Sequence, residues 1–194
     1  MLELSNKNLE IIDSLIDFKV FDDIEGYRLD RKNGIILVCC ADGDQFHDLY
    51  YHECSFQSGQ RKDKNPRIHP LSHNGGVLAY AENNLINRFP TSYLEYLYEI
   101  GGSLELKKMP TIVIEGHGPC GAAHKHAIDF IPQLETQMTV KEVVKQMHPH
   151  VDVASHFHVD YNGRNGKEKK TYHFGRERWA EWLRTKAAPF LAFA

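Results

Sequence analysis

The chain has 194 residues, of which 42% are hydrophobic and 25% charged, with a formal net charge of −3. That length suits one domain with a buried core, and the composition argues against disorder. The slightly acidic balance gives no electrostatic footprint for nucleic acid or an anionic membrane, so a small-molecule partner read by a pocket is expected.

The opening stretch MLELSNKNLEIIDSLIDF is acidic throughout and has no basic region ahead of an apolar one. No secretory signal is therefore expected, and no run nears the roughly 18 apolar residues that cross a bilayer. A cytoplasmic location is the expectation, with Cys39, Cys40, Cys54 and Cys120 as thiols or metal ligands rather than a disulfide framework. Leu9, Ile11, Ile12, Leu15 and Ile16, behind Ser5 and Asn6, predict an amphipathic helix over 6–17. The run GIILVCC reads as a strand buried on both faces, and it leads into CCADGD at 39–44. Neighbouring strand residues point oppositely, so Cys39 reads as a packed core thiol and Cys40 as the one available for chemistry.

Residues 51–76 are polar and without sustained period, which predicts a long loop of the kind that borders active sites. Its basic residues Arg61, Lys62, Lys64 and Arg67 read as a solvated face that could also hold an anion. TSYLEYLYEI predicts a helix with Ser92 and Glu95 as a capping box, stopping at Gly101-Gly102 before a hairpin-like segment. A buried strand over Thr111–Ile114 is expected to break at Gly116, with helix resuming after Gly121. A helix over 139–147 follows, then an alternating strand over 151–161, a turn and a short return strand at TYHF. The tail predicts a helix over 176–187 with Trp179, Trp182 and Leu183 on one face. This alternation gives a single α/β domain, 1–194, with a mostly parallel central sheet flanked by helices.

Both buried strands end in sulfur. Cys40 closes the first, and the second runs into GHGPCG, with His117 and Cys120 three apart. In a parallel sheet the carboxyl ends of the strands share one edge, where open α/β sheets bind ligands. Two thiolates and one imidazole suit Zn²⁺, and three protein ligands leave a fourth position for water or substrate. Gly116, Gly118 and Gly121 are expected to allow close backbone approach around the ion.

Cys40-Ala41-Asp42-Gly43-Asp44 and His117-Gly118-Pro119-Cys120-Gly121 resemble the C-x-D-x-R and H-x-x-C-G signature of the β-class carbonic anhydrases. SHNGG at 72–76 looks like a degenerate form of that family's R-N-A-G segment, with His73 at the arginine, and SYLEYLYEIGG is similar to the helix before its second metal strand. The resemblance covers about residues 33–163. It implies that Cys40, His117 and Cys120 bind zinc and that Asp42 is the catalytic carboxylate orienting a zinc-bound hydroxide. The substrate implied is CO₂, with bicarbonate as product, or a related small electrophile. It also implies a homodimer or larger assembly.

The departure is Asp44, where the family has an arginine that holds the aspartate off the metal. Without that cation Asp42 could become a fourth zinc ligand, and two close carboxylates tend to force one towards its protonated form. A basic residue from elsewhere, Arg61, Arg67 or Arg88, is the expected substitute. The alternative is a non-hydratase, carbonic-anhydrase-like zinc-binding protein with a closed or repurposed site. A redox role for Cys39, Cys40 and Cys54 is weaker, because no C-x-x-C pair is present. His124, His126, His148 and His150 read as exposed residues, Cys54 as a plain loop cysteine, and His156 and His158 as two residues on one face of a strand.

Overall fold

The structure is a computed structural model in which residues 2–24, 29, 31–58, 65–82, 84, 86–87 and 89–191 are described. Six strands form one sheet: β1 (Phe21–Asp23), β2 (Ile35–Cys40), β3 (Ile68–His73), β4 (Thr111–Gly118), β5 (Asp152–Val159) and β6 (Lys170–Phe174), in the order β1-β6-β5-β4-β2-β3. The pairings among β3, β2, β4 and β5 are parallel, while β6 and β1 add antiparallel strands at one edge. The expected α/β architecture with a mostly parallel sheet is therefore what forms. Every residue of β2 and β4 is buried, which is why neither strand alternates in sequence.

The helices are α1 (Asn6–Asp17), α2 (Phe46–Ser58), α3 (Ser92–Lys107), α4 (Gly121–Lys125), α5 (Phe130–Met147), α6 (Arg176–Thr185) and α7 (Ala188–Leu191). Ser5 caps α1 by accepting from the Asn8 N–H at 3.1 Å. On one sheet face α1, α5 and α6 bury Phe21, Phe157, Phe174, Trp179 and Trp182, and α3, α5 and a tight helical turn over 76–80 cover Ile36, Val38, Ile112 and Ile114.

The opposite face is covered by α2, where Leu49 meets Ile35, Leu37, Cys39 and Val113. Further along, this face is polar although buried. Glu53 from α2 takes the Arg31 Nε at 3.1 Å and the His156 Nδ1 at 2.8 Å, with all three side chains at most 1% exposed. Burial alone would raise the Glu53 carboxyl, but His156 and Arg31 more than reverse this and hold it at about 2. Glu115, level with His156 across the strands, is buried with both oxygens unpartnered, and burial beside Glu53 pushes it well above the carboxylate range.

Several sequence expectations change. Residues 51–76 are not a long loop: α2 extends to Ser58, β3 spans 68–73 and the tight turn follows. The helix was hidden because its buried side carries Glu53 and Gln57, so no apolar period marks it; Gln57 Oε1 accepts from the Arg67 N–H at 2.6 Å. Arg61, Lys62, Lys64 and Arg88 lie outside the described residues. The helix begun at Ser92 passes through Gly101-Gly102 instead of stopping, and ends at Lys107, capped by Lys108 at φ 52°. A Cβ at Gly101 would lie 3.4 Å from the His148 ring, so packing uses the glycine inside the helix. β4 continues past Gly116, where a Cβ would stand 2.2 Å from Gln137 Oε1 of α5. The helix expected over 139–147 begins at Phe130, and the C-terminal helix splits at Lys186.

Two consequences are measurable. Burial lowers His158 to about 4 and His173 to about 3, so between pH 6.5 and 4 the unfolded chain takes up protons that the folded chain refuses. Stability to urea should therefore hold above pH 6.5 and fall as pH drops towards 4, by on the order of 3 kcal/mol, with His173→Gln flattening the slope. Glu53→Ala removes the buried carboxylate that meets both Arg31 Nε and His156 Nδ1 and should cost about 3–5 kcal/mol at pH 7 by the same measurement.

Candidate metal centre

Cys40 ends β2 and His117 lies near the end of β4, strands paired in parallel from Ile35↔Thr111 to Val38↔Ile114. Two residues beyond that last pair, Cys40 comes level with Gly116, one residue short of His117. The Gly118-Pro119 turn then brings Cys120 back to the same edge at the start of α4. One ligand atom from each of Cys40, His117 and Cys120 lies within 4.8 Å of the others. Among the described residues no other such group of His, Cys, Asp and Glu occurs. Tetrahedral zinc at about 2.3 Å from sulfur and 2.0–2.1 Å from nitrogen requires donor separations near 3.7 Å, so the set is already close to ligating geometry.

All three are buried, at 4%, 3% and 6% exposure. Neither nitrogen of His117 has a hydrogen-bond partner, which is an unfavourable state for a buried imidazole unless a ligand claims it. The closeness of Cys40 and His117 holds the Cys120 thiol far below the ordinary range, while Cys120 and burial push Cys40 up. Backbone N–H groups of Asp42 and Gly75 face Cys40, and that of Ala123 faces Cys120, ready to support thiolate charge.

The Gly75-Gly76 corner makes that support possible. Gly76 has φ +55°, and a Cβ there would lie 2.7 Å from the Cys40 backbone nitrogen and 3.0 Å from its Cα. Only a residue without a side chain lets the 76–80 turn close on the metal strand. At Gly116 and Gly118 the close approach is to Gln137, Phe130 and Phe157 of the core rather than around the cluster, and a Cβ at Gly121 would make ordinary contact with Asp42 Oδ2 at 3.9 Å.

Asp42 sits in the loop joining β2 to α2. Its Oδ1 accepts from the Asp44 N–H at 3.0 Å, and its carbonyl accepts from Gln45 and Phe46 at the helix start. Its Oδ2 faces Gly121, next to Cys120, but the carboxylate lies outside the three-residue group. Asp44 is exposed, and none of the ion pairs between described residues includes Asp42 or Asp44. Arg67 is not the missing clamp: its guanidinium donates to the carbonyls of Asn33, at 2.6 Å, and Lys107, at the opposite end of β2. His73 leaves that region too, pairing with Glu99 at 3.2 Å and stacking on Tyr96.

Among the described residues the cation that reaches this loop is Lys169, which sequence reading missed. It contacts the Asp44 carbonyl at 3.4 Å, Asp48 at 2.5 Å and Asp160 at 3.3 Å. It lies 125 positions from Asp44, so nothing local announces it. His156 bonds Glu53 and His158 bonds Thr171 Oγ1 at 2.8 Å, so both serve the buried polar face. Cys39 packs beside Leu49, as expected, and Cys54 is a half-buried free thiol on α2.

No family model matches the chain, and no curated protein does. Among solved structures the chain is similar to a carbonic anhydrase from Streptococcus mutans, at 11% identity and TM-score 0.44, covering 90% of this chain and 100% of that one. It is similar to the β-carbonic anhydrase CafD of Aspergillus fumigatus at 13% identity and TM-score 0.39, with 78% and 95% covered. A β-carbonic anhydrase of Trichomonas vaginalis aligns at 16% identity and TM-score 0.31, with 89% and 100% covered. Likeness at this level carries nothing about chemistry, which rests on the residues themselves. No helix among the described residues is long and apolar enough to cross a membrane.

Gly76→Ala combines a left-handed backbone with a backbone clash and should destabilise by at least about 2 kcal/mol in urea titration. It should also weaken metal retention.

Proposed function

We propose that the chain is a zinc-dependent hydratase of the β-carbonic anhydrase type, adding water to CO₂ or a related small electrophile. The observation that carries the reading is the convergence of two buried thiols and an unpartnered buried imidazole from two adjacent parallel strands, with a carboxylate just outside them. Sulfur and imidazole donors in that number select zinc over calcium or magnesium. Zinc held by Cys40, His117 and Cys120 would supply a Lewis acid able to lower the pKa of a bound water well below that of bulk water.

The protein's own residues then have separate tasks. Cys40 and Cys120 set the charge at the centre, and the N–H groups of Asp42, Gly75 and Ala123 steady that charge. Asp42, fixed at Oδ1 by the Asp44 N–H, keeps Oδ2 towards the H-x-x-C-G turn as acceptor for the reacting water. A site whose two thiolates neutralise the ion, rimmed by Asp42 and Asp44, does not repel a neutral electrophile and hastens departure of an anionic product. One zinc per chain and a homodimeric assembly belong to the same proposal.

A second reading has an observation of its own. Asp44 stands where a clamping arginine is expected, and no described side chain pairs with Asp42 instead, which favours a zinc site without hydratase activity.

Metal analysis of the purified protein should find about one zinc per chain, lost in Cys120→Ser. Stopped-flow CO₂ hydration should fall roughly 10- to 100-fold in Asp42→Asn and rise in Asp44→Arg. Zinc absent from the wild type ends both readings; zinc present with hydration only in Asp44→Arg selects the second.

A further inference from the structure

The candidate centre is almost sealed, so anything that reacts there needs a way in. Beside the cluster lies a void of about 10 Å³, bordered by Cys40, His117, Cys120 and Gln133, roughly the room one water needs. A larger cavity of about 230 Å³ shares two of those walls, Cys120 and Gln133, and its outer side is formed by Leu4, Ser5 and Asn8. Gln133 is fixed in the shared wall because its amide nitrogen donates to the Ile128 carbonyl at 2.9 Å. The two spaces therefore adjoin at Cys120 and Gln133.

The outer side is a strap rather than a packed element. Residues 2–5 run ahead of α1, and Leu4 is buried, its Cδ2 3.5 Å from where a Cβ on Gly118 would stand. Across it reaches Arg164, from the segment between β5 and β6. Arg164 Nη1 donates to the Leu4 carbonyl at 2.6 Å, and Nη2 meets Glu3 Oε2 at 3.1 Å. Asn162 holds the other Glu3 oxygen at 3.2 Å. These bonds join residues some 160 positions apart and involve partly exposed side chains, so they can open without unfolding the core.

We propose that the cavity under the strap is the route by which small molecules reach Cys40, His117 and Cys120, and that Arg164 and Glu3 set its width. The cavity suits a molecule of a few heavy atoms, neutral or singly charged, since its walls mix Leu4 and Phe130 with Ser5 and Gln133 and carry charges of both signs in Glu3, Lys7 and Asp129. The idea rests on the reading of the cluster as a reactive centre, but its test does not require turnover. The metal-stripped full-length protein is treated with iodoacetamide and the alkylation rate of each cysteine followed by mass spectrometry, with half-exposed Cys54 on α2 as internal reference.

Arg164→Ala and, more mildly, Glu3→Gln should raise labelling of Cys120 about threefold or more, while Asn8→Trp, which fills the cavity from a half-buried position in its wall, should lower it by a similar factor. Cys54 should keep its wild-type rate in all three. In the zinc-loaded protein, release of zinc to a chelator should follow the same order. Cys120 labelling unchanged in Asn8→Trp and in both strap variants, or rising only in step with Cys54, overturns the route. If labelling moves as expected while no form hydrates CO₂, the route stands and the hydratase reading fails. If the wild type hydrates CO₂ and labelling does not move, the hydratase reading stands and the route fails.

Discussion

The parallel pairing of β2 with β4 is the constraint on which the candidate centre depends. Val38 lies beside Ile114, so both strands leave the sheet at one edge, and Cys40 arrives almost level with His117. A one-residue slip would turn Cys40 away and bring Cys39 to the site face. The register is held by full burial of both strands, where Ile36 and Val38 meet Ile112 and Ile114 on one face and Ile35 and Leu37 meet Val113 on the other. Hydrophobic packing thus sets donor geometry before any metal is considered.

A second set of forces places the loop that carries Asp42. That loop is the lead-in to α2, and α2 is tied to the sheet through Glu53, shared between Arg31 and His156 in full burial. Such a cluster gives little net stability, because desolvation offsets much of the attraction, but it tolerates few arrangements. Gln45, one turn from Asp42, adds a bond to Asp160 at 2.9 Å, and Lys169 bridges Asp48 and Asp160. Orientation of the carboxylate beside the cluster is therefore a property of the whole α2 face.

Asp44 changes the electrostatics of this corner without dismantling it. Its backbone N–H still fixes Asp42 Oδ1, a task any residue type can perform, while its carboxylate points to solvent. Among the described residues no cation pairs with the Asp42 carboxylate. Lys169 offsets negative charge nearby, yet through the Asp44 carbonyl and two other aspartates.

The buried strands, the helices at both ends and the grouping of Cys40 with His117 and Cys120 were legible in the sequence, because these rest on local signals: apolar runs, a Ser5 cap, the Trp179 and Trp182 stripe, and a short H-x-x-C spacing. The helix over 46–58 was illegible because its inner face buries Glu53 and Gln57, whose partners Arg31, His156 and Arg67 are distant in the chain. The path of α3 through Gly101-Gly102, and of β4 through Gly116, followed from what packs against them, His148 and Gln137. That Arg67 serves the far end of the sheet, that Lys169 reaches the Asp44 loop and that Leu4 lies across the H-x-x-C turn emerged from the folded contacts alone. Each depends on a long-range contact, whose energy is set by desolvation and geometry that neither partner's local sequence contains.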